Sequence, residues 1–377
     1  MRTSERRPSR WVFVTGQLNW GGAEKQLMLL VKELSRRGHD VSVACVSGET
    51  EPYGPILREL GIDVEAFPRR SGWGFSRSLR LRRWLSKKAP TAVCAFGEFA
   101  VAHTAFALAG RRVRPRFLAM LRRSALRLSG LRRMFVERAL RSADLVCANS
   151  EAGRTYGIRE LGIAEDRIAL LGNVLDPSLQ TAGRDREATR RALGLDVTAP
   201  TVVYVGRNAY AKDTSTLCRT LVRLAKGVAA VQMLVLGESL DRLPAGCEDP
   251  GSKVRWLGTR PDATQIIAAA DVLLLTSRSE GTPNVVLEAM AVGTPVVSTA
   301  VGDVPRLLAG GAGIVTPVGD DGALAEAVAR LLGDPALRRS MASSAVARVS
   351  SEFGLEEVVN RLVSLLDAVP ADSRSIA

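Results

Sequence analysis

The sequence predicts an α/β protein of two Rossmann-like domains, each a parallel sheet covered by helices. Three observations carry this expectation. Short β-branched runs alternate with helical patterns along almost the whole chain; the runs are continuously apolar, as in strands covered on both faces; and the rhythm breaks once near the middle and restarts.

Taken in order, WVFVTG (11 to 16) reads as a first strand, Ala23 to Arg37 as an amphipathic helix, and DVSVACVS (40 to 47) as a second strand. TAVCAFG (91 to 97), RFLAML (116 to 121), DLVCANS (144 to 150) and RIALLGNV (167 to 174) continue the first half. The stretch DPSLQTAGRDREATRRALGLDVTAP, from Asp176, interrupts it with proline, glycine and dense charge and reads as a linker. The boundary is therefore expected near residue 180, with domains 1–180 and 181–377. TVVYVG (201 to 206) restarts the pattern, followed by VQMLVLG (231 to 237), VRWLG (254 to 258), DVLLLTS (271 to 277), PVVST (295 to 299) and GIVTP (313 to 317). After Asp320 the pattern is helical nearly to the end, and the last helix can return to pack on the first domain. Two such domains would set a cleft between the carboxyl ends of their sheets, where these folds bind ligands.

At 377 residues and 46% hydrophobic content the chain can bury two cores. No run reaches the roughly 18 apolar residues of a spanning helix, and MRTSERRPSR leads into a short strand, not a signal-peptide core. The expectation is a cytoplasmic protein with association at the inner membrane. Cys45, Cys94, Cys147, Cys218 and Cys247 form no CxxC pair, and three stand in apolar runs, so buried free thiols are expected.

The net charge of +13 is uneven. Residues 1–150 hold 28 Lys and Arg against 12 Asp and Glu, and the rest hold 24 against 27. An anionic partner is expected for the first half. FSRSLRLRRWLSKKA (75 to 89) sets Leu79, Leu81, Trp84 and Leu85 among basic residues, and Arg111 to Arg141 holds eleven arginines and one acid, Glu137. Basic amphipathic helices of this kind favour anionic membrane surfaces. The segments lack the interleaved aromatics and motifs of nucleic-acid binders, so no nucleic-acid partner is expected.

Three turns carry candidate chemistry. After the first strand, Gly21 and Gly22 precede a helix, where backbone amides approach an anion. The spacing is not that of a dinucleotide fingerprint. After TVVYVG stand Arg207 and, five residues on, Lys212, a pair suited to a diphosphate. After DVLLLTS, the loop Glu280, Gly281, Thr282, Pro283 opens a helix near Asn284, with Pro283 close to the first-turn position and the amides of Asn284, Val285 and Val286 open to a ligand. Glu288 lies one turn on from Asn284, in a helix with little polar face. Two carboxylates around an amide-rich helix start suit a sugar nucleotide, whose hydroxyls seek acceptors and whose phosphates seek donors.

The ordered series GGAE, VGR with Lys212, EGTPNVVLE, EAMAVGTPVVST and VGDVP resembles the retaining glycosyltransferases of family 4, which have the GT-B fold. The resemblance covers nearly the whole chain. It implies transfer of a sugar from a UDP- or GDP-sugar to a glycan or lipid-linked acceptor of the cell envelope, with no cofactor and no metal. The second domain would hold the donor and the first most of the acceptor. It implies that Arg207 and Lys212 bind the diphosphate, that Glu288 accepts from the ribose hydroxyls and that Glu280 faces the donor sugar. The amides from Gly281 to Val285, with Thr282, Pro283 and Asn284, would contact sugar and phosphate, and Gly21 and Gly22 would close over the donor. The catalytic set implied is Glu280, Arg207 and Lys212, acting by front-face displacement.

Two departures stand out. The family pattern VGGxPE is VGDVPR here, with Asp303 and Arg306. The family's first-domain histidine at a strand end is replaced in AMLRRSALR, where Arg122 or Arg123 takes its place. His103 is a further candidate first-domain contact, whereas His39 reads as structural. The altered motif keeps two other readings open, a sugar-nucleotide epimerase and a donor-binding protein without turnover.

Overall fold

The computed structural model describes residues 9–69, 75–122, 129–179 and 185–370. They fold as two compact units, one of residues up to Val174 together with the segment from Leu355, the other Leu175–Gly354.

The first unit runs β1 (Arg10–Thr15), α1 (Gly22–Arg36), β2 (Asp40–Cys45), α2 (Tyr53–Glu59), β3 (Asp63–Ala66), α3 (Phe75–Lys88), β4 (Ala92–Phe96), α4 (Glu98–Leu108), β5 (Arg116–Leu121), α5 (Gly130–Ser142), β6 (Leu145–Ala148), α6 (Glu151–Arg159) and β7 (Ile168–Leu170). Its seven strands are parallel, in the order β3-β2-β1-β4-β5-β6-β7. Alternate side chains of β1 serve opposite faces, as the pleat requires. Trp11 and Phe13 join one core with α1, and Val12 and Val14 join another that includes Leu81 and Leu85 of α3 and Val136, Ala139 and Leu140 of α5. The strand β3 was not foreseen, because only Val64 of its four residues is buried and an edge strand carries little apolar signal.

The second unit runs α7 (Arg186–Ala192), β8 (Thr201–Val205), α8 (Thr214–Gly227), β9 (Gln232–Leu236), β10 (Val254–Gly258), α9 (Ala263–Ala269), β11 (Val272–Leu275), α10 (Asn284–Ala291), β12 (Val296–Thr299), α11 (Val304–Leu307), β13 (Gly313–Thr316), α12 (Asp321–Gly333) and α13 (Pro335–Glu352). Its six strands are parallel, in the order β10-β9-β8-β11-β12-β13. The last helix, α14 (Leu355–Ala368), belongs to the first unit, where Val358, Val359, Leu362 and Leu366 are buried in the core with α1. Each such side chain contributes about 1.5–3 kcal/mol by burial.

Two expectations need correction. The charged stretch from Asp176 is not all linker. The guanidinium of Arg190 in α7 is buried, donates to the carbonyls of Ala269 (2.9 Å), Val197 (2.8 Å) and Ala199 (3.0 Å), and meets Asp271 at 2.9 Å. A buried cation is tolerated when each of its nitrogens is directed at an acceptor, which composition does not reveal. The cysteines are not all free either: Cys218 of α8 is joined to Cys247 of the loop before β10, and Cys45, Cys94 and Cys147 stay buried thiols. The paired residues stand 29 positions apart and are brought together only by the fold.

Candidate functional site

In the second sheet the strand order reverses between β8 and β11, the switch point at whose carboxyl end open α/β sheets bind ligands. The loops leaving these two strands carry Arg207 with Lys212, and Glu280 with the start of α10. Both loops run over unusually close backbone approaches. A Cβ on Gly237 would lie 1.9 Å from the carbonyl oxygen of Gly206, and one on Gly302 would lie 2.1 Å from that of Gly281. Gly237 and Gly302 also have φ of 139° and 51°, which glycine adopts without a side-chain clash.

The two loops are joined side by side. The Arg278 amide donates to Ala211 O (2.8 Å) and the Thr276 hydroxyl to Lys212 O (3.0 Å). Asp213 takes a left-handed conformation, φ 49°, and caps α8 by accepting from the Thr216 amide and hydroxyl. Arg278 reaches back to Asp213 at 2.7 Å, its guanidinium over the Tyr210 ring at 5.2 Å. Burial alone would raise the Asp213 carboxyl, but Arg278 and Thr216 outweigh it and hold the carboxyl below its ordinary value. Burial, reinforced by the nearby Glu280 carboxylate, pushes the Tyr204 hydroxyl beneath this loop well above its ordinary range.

Within this frame Lys212 Nζ lies 2.7 Å from Glu280 Oε1, and the Ser277 hydroxyl donates to the same oxygen at 2.7 Å. Two residues 68 positions apart, each singled out in the sequence for a different part of a ligand, therefore form one charged pair, 21% and 15% exposed. Arg207 is exposed on the neighbouring loop and pairs with no described acid.

At the third turn Pro283 is the residue ahead of α10, not its first. The amide of Val286 donates to Pro283 O at 3.1 Å, so it is not open to a ligand as expected, because the helix start tightens into an i to i+3 bond. The Val285 amide is bonded to no described residue. Asn284 and Glu288 are half-buried, one turn apart on the same face. Gly281 and Thr282 are held from below: the Asp303 amide donates to Gly281 O at 2.9 Å, and Asp303 Oδ2 lies 3.4 Å from the Thr282 hydroxyl. Arg306 is drawn to Glu352 at 2.7 Å, with its guanidinium over Phe353. The departure VGDVPR thus places one residue under the loop and ties the other to α13.

In the first unit Gly21 precedes α1 in extended backbone, and Gly22 is the first helical residue. Arg122, at the end of β5, donates to Asn173 Oδ1 at 2.6 Å and lies over the Phe96 ring at 5.8 Å. Burial lowers it to about 10, partly offset by the Glu24 carboxylate. It stands at the carboxyl end of the first sheet, as its place in the sequence anticipated. Arg123 lies outside the described residues. His103 of α4 shares a 2.7 Å hydrogen bond with Ser78 of α3, and burial, with Arg77 nearby, lowers it to about 4. It is a neutral link between two helices. Sequence reading missed Ser277, Arg278, Asp213 and Gly302. Only Asp213 carried a signal, as a helix cap ahead of an amphipathic run.

Residues 199–334 match the family model described as glycosyl transferases group 1, and residues 20–179 match that of Glycosyltransferase Family 4. The chain belongs to the family 4 glycosyltransferases. The D-inositol 3-phosphate glycosyltransferase of Corynebacterium urealyticum is 30% identical to this family 4 chain over 255 residues, 63% of it and 60% of that protein. The GDP-mannose-dependent monoacylated alpha-(1-6)-phosphatidylinositol monomannoside mannosyltransferase of Corynebacterium glutamicum is 29% identical over 200 residues, 49% of the chain and 52% of that protein. The matches thus span between half and two thirds of these relatives. Among solved structures, Anabaena HepE in complex with UDP-glucose aligns with a TM-score of 0.80 at 23% identity, covering 96% of this chain and 100% of that one. The fold is GT-B. Among the described residues, no three His, Cys, Asp or Glu side chains are grouped to hold a metal ion, and no helix is long and apolar enough to cross a membrane.

Proposed function

We propose that this family 4 glycosyltransferase moves a sugar from a UDP- or GDP-sugar to a glycan or lipid-linked acceptor of the cell envelope, at the inner face of the membrane, with retention of configuration and without a metal. The observation that carries the reading is the join of the β8 and β11 loops at the switch point, where Lys212 and Glu280 meet at 2.7 Å beside the exposed Arg207. A donor diphosphate placed against Arg207 and Lys212 would have the charge on its leaving oxygens offset by two cations, of which Lys212 is already held in place and needs little reorganisation. Glu280, positioned by Lys212 and Ser277, faces the donor sugar, and Glu288 accepts from the ribose hydroxyls. The acceptor hydroxyl then attacks C1 on the face from which the diphosphate leaves, the new glycosidic C–O bond forming as the C1–O bond to phosphate breaks and the hydroxyl proton passing to the departing phosphate oxygen, which retains the anomeric configuration. For the first unit, Arg122 is the residue proposed to contact the acceptor or the donor sugar, a reading supported by its place at the carboxyl end of that unit's sheet.

The relatives named above support both nucleotides, one as a GDP-mannose-dependent enzyme and one solved with UDP-glucose. The test is a panel of UDP-, GDP-, ADP- and dTDP-sugars, read by thermal shift with and without a chelator, since a ligand that binds the folded state raises its melting temperature. Selective stabilisation that survives chelation, followed by an α-linked product from an α-linked donor, is expected. Stabilisation by no donor, or product formation only with added divalent metal, would overturn the reading. Binding with release of an epimerised sugar nucleotide would replace it with the epimerase alternative.

A further inference from the structure

The arginine-rich helix α3, expected from its sequence to lie on a membrane, is not built for that. Its apolar face is spent inside the unit: Leu81 and Leu85 are fully buried and Trp84 packs edge-on against Phe67 at 5.8 Å. Several of its cations are engaged as well. Arg80 and Arg82 donate to carbonyls of neighbouring segments, and Lys88 pairs with Asp63 at 2.7 Å. A helix whose apolar side chains already face a core has none left to offer a bilayer, and among its large hydrophobic residues with described burial only Leu79 is exposed.

The opposite holds for α5. Its second half is anchored by Val136, Ala139 and Leu140, but its first six residues are all exposed. Among them Leu131, Met134 and Phe135 are 70%, 52% and 58% exposed and share one face by their i, i+3, i+4 spacing, which Arg138 continues at i+7. Arg132 is exposed on the flank of the stripe, whereas Arg133, also exposed, points to the other side of the helix. The helix's one acid, Glu137, is held between Arg133 at 2.6 Å and Arg141 at 3.7 Å. The stripe is therefore apolar, flanked by Arg132, continued by Arg138 and without an unpaired carboxylate. A protein partner of ordinary composition would need to match both features, whereas a bilayer with anionic headgroups supplies both at once, phosphates for the arginines and acyl chains for the three apolar groups.

We propose that the exposed first half of α5 is the element by which this chain seats on an anionic membrane surface, with Leu131, Met134 and Phe135 entering the interface and Arg132 and Arg138 meeting lipid phosphates. The reading of the acceptor as lipid-linked gives this surface its purpose, but the test needs neither donor nor acceptor, so either can fail without the other.

The full chain is floated with vesicles of phosphatidylcholine alone and of phosphatidylcholine with phosphatidylglycerol, at low and at high salt. Flotation only with the anionic vesicles, weakened by salt, is expected. The triple variant Leu131→Ser, Met134→Ser, Phe135→Ser should lose about tenfold or more in partitioning, and Arg132→Ala with Arg138→Ala should lose mainly the salt-sensitive part, with both variants keeping the wild-type melting temperature. Absence of flotation with anionic vesicles at low salt overturns the proposal, as does a triple variant that floats like the wild type. Light scattering on the same samples covers the remaining case. A wild type that dimerises and does not float, with a triple variant that is monomeric, overturns the proposal in favour of a contact between copies of this chain.

Discussion

Lys212 Nζ lies 2.7 Å from Glu280 Oε1, and Ser277 donates to that same oxygen, so the carboxylate is positioned from two sides before any substrate arrives. A group fixed in this way needs little reorganisation in the transition state. Replacing Glu280 with Gln preserves shape and removes the charge, and is expected to lower kcat by about 10²–10³-fold while donor affinity changes only a few-fold. Initial rates alongside donor titrations check it; weakened donor affinity with kcat unchanged would mean that Glu280 acts in binding alone.

Lys212 and Arg207 are expected to differ in stability even though both should slow transfer. Lys212→Ala leaves a mostly buried carboxylate without its cation and should cost about 1–3 kcal/mol of folding stability, seen as a lower denaturation midpoint. Arg207 is exposed and unpaired among the described residues, so Arg207→Ala should leave the midpoint unchanged. Equal midpoints for the two variants would contradict the pairing.

Glu288→Ala should weaken donor binding chiefly through the ribose, by about 1.5–3 kcal/mol for a hydrogen bond to a charged group. The effect should shrink for a donor lacking the ribose hydroxyls. Calorimetric titration with the natural and the deoxy nucleotide measures this, and the same loss for both would remove Glu288 from the ribose.

Gly302→Ala combines a left-handed φ with a Cβ 2.1 Å from Gly281 O, so the loop bearing Glu280 must move. A loss of about 2–4 kcal/mol in stability is expected, with donor binding abolished. Gly310→Ala is the control: φ is +67° but a Cβ there meets nothing within 4 Å, so only about 1 kcal/mol should be lost and binding should stay. Similar chemical denaturation curves for the two would show that the close approach does not matter.

His103, lowered to about 4 by burial, stays neutral in the folded chain at pH values where the unfolded chain, near 6.5, takes up a proton. Proton uptake by the unfolded state favours unfolding, so this contribution is nil above pH 6.5 and destabilises progressively as pH falls from 6.5 toward 4. Urea midpoints measured across that window should fall less steeply for His103→Asn than for the wild type. Parallel curves would show that His103 is free to protonate in place.

Much of the fold could be read from the sequence because parallel strands covered on both faces are continuous apolar runs, and the first and second sheets are built of them from Trp11 to Thr316. Arg207, Lys212, Glu280 and Glu288 could be read because each follows a strand end or a helix start, where local spacing dictates position. The edge strand β3 could not, since one buried valine makes no pattern.

What the tertiary structure alone decided is pairing across long separations. Lys212 with Glu280, Asp213 with Arg278, Arg190 with Asp271 and Cys218 with Cys247 each join residues whose spacing carries no period, because they are brought together by sheet order and not by helix or strand geometry. The same cause reassigns the basic helices. The amphipathic pattern of α3 is equally consistent with a core or a bilayer, and only its packing shows which apolar face is already covered, whereas the exposed face of α5 becomes visible when its other side is seen to be anchored. Sequence determines which side chains are apolar or charged and how they repeat; what covers them is a property of the fold.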